Sequence, residues 1–123
     1  MKIIINSSLM VPIYEQIIDQ IKSMIVNDEI KENDILPSVR TLSKELKISA
    51  LTVKKAYDAL ENEGFTTTVH GKGTYVLPTN KNLMMEERRK KIENDLEVVI
   101  QRAKNYGLKK KEILDIFNII LED

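Results

Sequence analysis

Residues 36–76 read LPSVRTLSKELKISALTVKKAYDALENEGFTTTVHGKGTYV, which lays out a helix, a tight turn, a second helix and a hairpin. Ser38, directly after Pro37, is placed to cap the first helix by accepting a bond from the backbone N–H of Arg40 or Thr41. Val39, Leu42 and Leu46 recur at helical spacing, so they share one face. Lys47-Ile48-Ser49 forms the turn, with Ile48 filling the space between the helices and Ser49 as the second N-cap. Val53, Ala56, Tyr57 and Leu60 make the inner face of a helix over Ala50–Glu63. Ala56 is small enough for a neighbouring helix to cross closely. Gly64 is expected as the left-handed residue that ends it. Phe65–Val69 and Thr74–Leu77 are mostly β-branched or aromatic and read as strands around the loop His70-Gly71-Lys72-Gly73. The order is that of a winged helix-turn-helix.

The outer face of this segment carries the chemistry. Between Ser38 and Tyr57 stand Arg40, Lys44, Lys47, Lys54 and Lys55 against a single acid, Glu45. Asp58, Glu61 and Glu63 come only at the far end of the second helix. A recognition helix reads base edges with its N-terminal residues, so this gradient points the right way for double-stranded DNA. Ser49, Ala50, Leu51, Thr52, Lys54 and Lys55 are the groove-facing candidates. Thr52 can bond a base or a phosphate, and the two lysines guanine or the backbone. Arg40 suits a bidentate phosphate or guanine contact. His70 and Lys72 lie at the hairpin tip, where a wing meets the minor groove or phosphates. The plainer reading of any one such cluster is a solvated charged face. Several independent signals in the right order favour DNA.

At these residues the segment resembles the N-terminal domain of the GntR family of bacterial regulators. The family pattern LPS-x-R-x-L-x-x-x-L is met by Leu36-Pro37-Ser38, Arg40, Leu42 and Leu46. Ser49, Thr52-Val53, Ala56-Tyr57, Leu60-Glu61 and Glu63-Gly64 follow it, and Gly71-Lys72-Gly73-Thr74-Tyr75-Val76 matches the wing motif. The resemblance implies DNA contacts at Ser38, Arg40, Ser49, Leu51, Thr52, Lys54, His70 and Gly71. One departure matters. Members often carry Arg after the helix-start serine, where this chain has Ala50 followed by Leu51. Those apolar side chains cannot make the family's polar base contacts but can meet a thymine methyl.

Composition narrows the class further. The chain has 123 residues, is 42% hydrophobic and carries a formal net charge of zero, which fits a globular protein with one basic face rather than a nonspecific nucleic-acid coat. The absence of cysteine removes disulfide and thiol chemistry and fits a reducing compartment. Ile3-Ile4-Ile5 is too short for a signal-peptide core, and no apolar run approaches a membrane span, so a cytoplasmic protein is expected. The only histidine is His70, and no HExxH, phosphate loop or nucleophile elbow is present. The reading is therefore of no enzyme, no metal and no cofactor.

The flanks are expected to support and pair this unit. Met1–Ile5 reads as a short strand or a tethered arm, and Pro12 opens a helix whose stripe Ile13, Ile17, Ile21, Met24 and Ile25 belongs to the core, with Tyr14, Ile18 and Val26 beside it. The segment PIYEQIIDQIKSMI resembles the opening helix of small GntR members. Asn27 and Asn33 suit left-handed geometry in the loop NDEIKEND, and Ile35-Leu36 is expected to add a strand to the wing. Pro78 closes a DNA-binding domain over 1–78, leaving a C-terminal helical segment over 79–123. Lys81–Tyr106 reads as one long helix with Ile92, Leu96, Val99, Ala103 and Tyr106 at heptad spacing, ended by Gly107. Arg88 to Lys91 form a basic run best read as a solvated helix face. The last helix, Lys109–Leu121, carries Ile113, Leu114, Ile116, Phe117, Ile119, Ile120 and Leu121, too many apolar groups for one monomer surface.

Burial against a second copy resolves that excess, so a symmetric homodimer is expected through Ile92, Leu96, Val99, Ile113, Phe117 and Ile120. The alternative is that both helices fold back on the N-terminal domain. A short tail of this kind, with AKNYGLKKKEILDIF at its end, resembles the YtrA subfamily, whose two C-terminal helices dimerise. The implied fold is α+β and mainly helical, a winged helix-turn-helix followed by two dimerisation helices. The implied mechanism is repression by occupancy of an inverted repeat. Two other functions stay open: a winged protein-interaction module without DNA, and a small-molecule sensor with a pocket in the dimer interface, whose effector has no sequence signature.

Overall fold

Pro12, lacking an N–H, opens α1 (Ile13–Val26) at the position where a missing donor costs nothing. The computed structural model describes residues 1–122. After α1 come α2 (Val39–Leu46), α3 (Ala50–Asn62), β1 (Thr66–Val69), β2 (Gly73–Val76), α4 (Lys81–Asn105) and α5 (Lys110–Glu122). The architecture is α+β and mainly helical: three packed helices with a two-stranded antiparallel wing, then two further helices. The chain divides into two units, Met1–Lys81 and the part from Asn82 onward.

In the first unit α1 and α2 both pack on α3. Ile17, Ile21, Leu42, Val53, Leu60 and Val76 are fully buried, and Ala56 is buried among them. Each large aliphatic side chain here contributes roughly 1.5–3 kcal/mol by leaving water. Ser38 and Ser49 cap α2 and α3, accepting from the N–H groups of Thr41 at 3.0 Å and Thr52 at 3.1 Å. Lys47 makes the turn between them in a left-handed conformation, φ 56°. Gly64, φ 85°, follows α3 and lets the chain reverse into β1. The wing pairs Thr66 with Val76 and Val69 with Gly73.

Three local expectations are refined. Ile35 meets Tyr75 in a single bridge rather than a third strand, although Leu36 N–H reaches Thr74 O at 2.9 Å. Pro37 has no donor to continue the ladder, and α2 begins two residues later. In the loop after α1 the left-handed residues are Asp28 (φ 58°) and Asn33 (φ 70°), whereas Asn27 closes the helix with φ −87°. The N-terminal residues form an arm and not a strand, because amides of α1 take the place of a neighbouring strand. Gln20 exchanges two bonds with the backbone of Ile4, and Gln16 bonds Asn6 twice and Val11 once.

The second unit is differently made. Apart from Met84 no described residue of α4 or α5 is buried. Val99, Ala103, Ile113, Phe117 and Ile120 line an apolar groove of about 240 Å³ between these two helices. No helix among the described residues is long and apolar enough to cross a membrane.

Candidate nucleic-acid interface

The helix-turn-helix presents Ser38 and Arg40 at the start of α2 and Ser49 to Lys55 at the start of α3. Arg40 is exposed and stands outside every ion pair among the described residues, so its guanidinium fork is available. Ser49 and Thr52 hold each other: their hydroxyl oxygens lie 2.8 Å apart, and Ser49 also takes the Thr52 N–H. Thr52 is therefore fixed as part of the cap, with its remaining hydrogen-bonding capacity open. Leu51 projects from the same turn and is 79% exposed.

The two lysines of α3 are steered in different directions. Lys54 Nζ pairs with Asp58 one turn on, at 2.9 Å, and that hydrogen bond holds the ammonium pKa above its ordinary value. Lys55 Nζ sits 3.9 Å from the centroid of the Tyr14 ring, a cation–π contact that ties the recognition helix to α1. Tyr14 donates its hydroxyl to Glu15 at 3.2 Å, which raises the phenol's pKa. Sequence reasoning set Tyr14 beside the core stripe and missed this role. The available signal was weak, a lone aromatic displaced from the Ile13–Ile17–Ile21 row.

At the wing, His70, Gly71 and Lys72 form the exposed tip between Val69 and Gly73. Gly71 has φ 76°, and Lys72 N–H closes the turn on Val69 O at 2.9 Å. The wing is braced on α3, where the Glu61 carboxylate accepts the Thr68 N–H at 2.9 Å. Lys22 further braces α1 by pairing with Glu63 at 3.1 Å and lying over the Phe65 ring. All ten candidate contact residues thus lie in one unit, on the turns and tips that the three-helix core and the wing hold out. No group of three or more metal-ligating side chains forms among the described residues.

A capped helix-turn-helix with a hairpin wing is the architecture of a bacterial transcription regulator. Residues 13–76 match the family of bacterial regulatory proteins called gntR, and the chain belongs to that family. It is 37% identical over 102 residues to the HTH-type transcriptional repressor YtrA of Bacillus subtilis, covering 83% of this chain and 78% of that one. Among solved structures, a transcriptional regulator from Oenococcus oeni superposes with TM-score 0.68 at 34% identity, covering 95% of this chain and 97% of that one. AraR(DBD) in complex with operator ORX1 superposes with TM-score 0.55 at 28% identity, covering 61% of this chain and 94% of the other. Family and relatives are transcription regulators, not enzymes.

Proposed function

We propose that this protein is a sequence-specific repressor that binds double-stranded DNA as a homodimer on an inverted-repeat operator. The observation that carries it is the exposed row Arg40, Ser49, Leu51, Lys54 and Lys55, with the half-buried Thr52 among them, held on capped helix ends beside a wing tip bearing His70 and Lys72. Bound operator in a solved relative of the same domain supports it, as does the repressor function named for the Bacillus relative. In this reading residues 1–78 bind DNA and residues 79–123 dimerise. The exposed Ile92, Leu96 and Ile120 and the groove lined by Val99, Ile113 and Phe117 supply an apolar face for a second copy. Two recognition helices so joined enter successive major grooves, and the link raises the effective concentration at the second half-site.

The test is fluorescence anisotropy with DNA from immediately upstream of the protein's own gene, against a scrambled duplex, over a salt series. Selective binding that weakens steeply with salt is expected. Arg40→Ala should cost about 1–3 kcal/mol of specific binding without unfolding the domain. Absence of binding to any duplex at low salt would replace this reading with a protein-interaction module.

A further inference from the structure

Leu51 is the one large apolar side chain exposed at the leading end of α3, with 79% of its surface in solvent, whereas Val53 two residues on is buried. Its surroundings are otherwise suited to a polyanion. Arg40 stands on the preceding helix, Lys54 and Lys55 follow within a turn, and the first acid of α3 is Asp58, already paired with Lys54. Leu51 also opens a shallow depression that runs along the outer face of α3 past Lys54, Lys55, Asp58 and Asn62. An apolar knob thus sits on the leading end of a basic helix, next to the methyl of Ala50.

The floor of the DNA major groove offers mostly hydrogen-bonding atoms, which leucine cannot satisfy. Its one apolar group is the C5 methyl of thymine. Against a guanine or cytosine edge, Leu51 would strip water from donors and acceptors and return nothing. Against thymine it exchanges water for carbon contact. We infer that Leu51 is a specificity-determining residue that reads a thymine methyl in each half-site, so that the operator carries an obligatory thymine opposite the leading end of α3. This rests on the DNA-binding reading above.

The experiment removes the methyl alone. Duplexes are enriched from a random pool with the wild-type protein, and each thymine of the enriched half-site is replaced in turn by deoxyuridine, which keeps every hydrogen-bonding group. Both half-sites are changed together, and wild type and Leu51→Ala are titrated by anisotropy at several salt concentrations. One position is expected to weaken wild-type binding about fourfold per half-site, the value of one buried methyl. Leu51→Ala should bind the thymine and deoxyuridine duplexes equally. The thymine-to-deoxyuridine ratio should stay constant with salt while absolute affinity falls, since a methyl contact releases no counterions. The inference is overturned if no deoxyuridine substitution affects the wild type, or if Leu51→Ala keeps the wild-type ratio. Failure to enrich any sequence overturns the DNA-binding reading instead, and the inference with it. Because Leu51 is exposed, the variant should retain the fold, which its thermal melt checks.

Discussion

At the scale of single residues, the basic face is a set of charges with unequal freedom. Arg40 stands outside every ion pair among the described residues, Lys54 is drawn back by Asp58, and Lys55 is held over Tyr14. A lysine has about four rotatable bonds to freeze on binding, and each ordered rotamer-rich side chain costs roughly 0.5–1.5 kcal/mol at an interface. If Lys55 contacts DNA as proposed, stacking on Tyr14 would offset part of that cost in advance, through the ring rather than the hydroxyl. Tyr14→Phe should bind DNA as the wild type does, because the ring face remains. Tyr14→Leu should bind about two- to fivefold more weakly, the range of a solvent-accessible cation–π contact of roughly 0.5–1 kcal/mol. Lys55→Ala should then lose less in the Tyr14→Leu background than in the wild type. Anisotropy titrations of wild type, Tyr14→Leu, Lys55→Ala and the double variant close that cycle, and with Tyr14→Phe titrated beside them, equal binding by the Phe and Leu variants would show that the stack does not contribute. The lysines themselves were legible in the sequence. The Tyr14–Lys55 pairing was not, because it depends on how α1 crosses α3, a long-range relation that periodicity does not encode.

At the scale of elements, the helix-turn-helix was legible because its signals are local. Ser38 and Ser49 cap where the sequence placed them, Gly64 ends α3 in left-handed geometry, and the inner row Val53, Ala56, Tyr57 and Leu60 is buried as its spacing requires. What failed was the extent of paired structure near Ile35 and the choice between Asn27 and Asp28 for the left-handed turn. Both depend on where neighbouring chain segments run. Tyr57 shows how α2 and α3 are locked together. Its hydroxyl donates to the Pro37 carbonyl at 2.7 Å from a buried position, fixing the entry to α2 relative to α3. Burial, and then the negative charge of Glu45, push the phenol's pKa well above its usual 10.0. The folded chain therefore keeps this proton where the unfolded chain has released it, so stability should fall as pH rises above about 10. Tyr57→Phe should lose about 1 kcal/mol near neutrality, the value of one hydrogen bond, and decline less steeply in alkali. Urea denaturation of both proteins at pH 7 and across the alkaline range checks it. Parallel alkaline profiles would show that Tyr57 is not the group that titrates.

At the scale of the whole molecule, the N-terminal unit is a sufficient core and the C-terminal pair of helices is not. The first unit encloses a core of large aliphatic groups around Ile17, Ile21, Leu42 and Leu60, while α4 and α5 leave Ile92, Leu96, Val99, Leu114, Ile116, Ile119, Ile120 and Leu121 exposed. Composition and spacing identified those residues as an apolar excess, but one chain's sequence holds no geometry for the partner that would cover them. So much exposed apolar surface is costly to leave in water and is characteristic of an interaction site. In the proposed homodimer a second copy would cover it with its own equivalent face, the self-complementary arrangement of a two-fold dimer. Ile120 is the sharpest probe, because at 62% exposure its replacement disturbs little within one chain. Ile120→Asp should leave the far-ultraviolet circular dichroism unchanged. In a dimer interface it would bury an unpaired carboxylate, weakening association by about 3 kcal/mol or more, roughly a hundredfold. Sedimentation velocity over a concentration series should show dimer for the wild type and monomer for the variant at low micromolar concentration. The variant's operator affinity should fall with it, since two half-sites would then be bound independently rather than through a shared link. An unchanged dimer would move the interface off this face of α5, and a wild-type monomer that still binds DNA selectively would remove dimerisation from the mechanism.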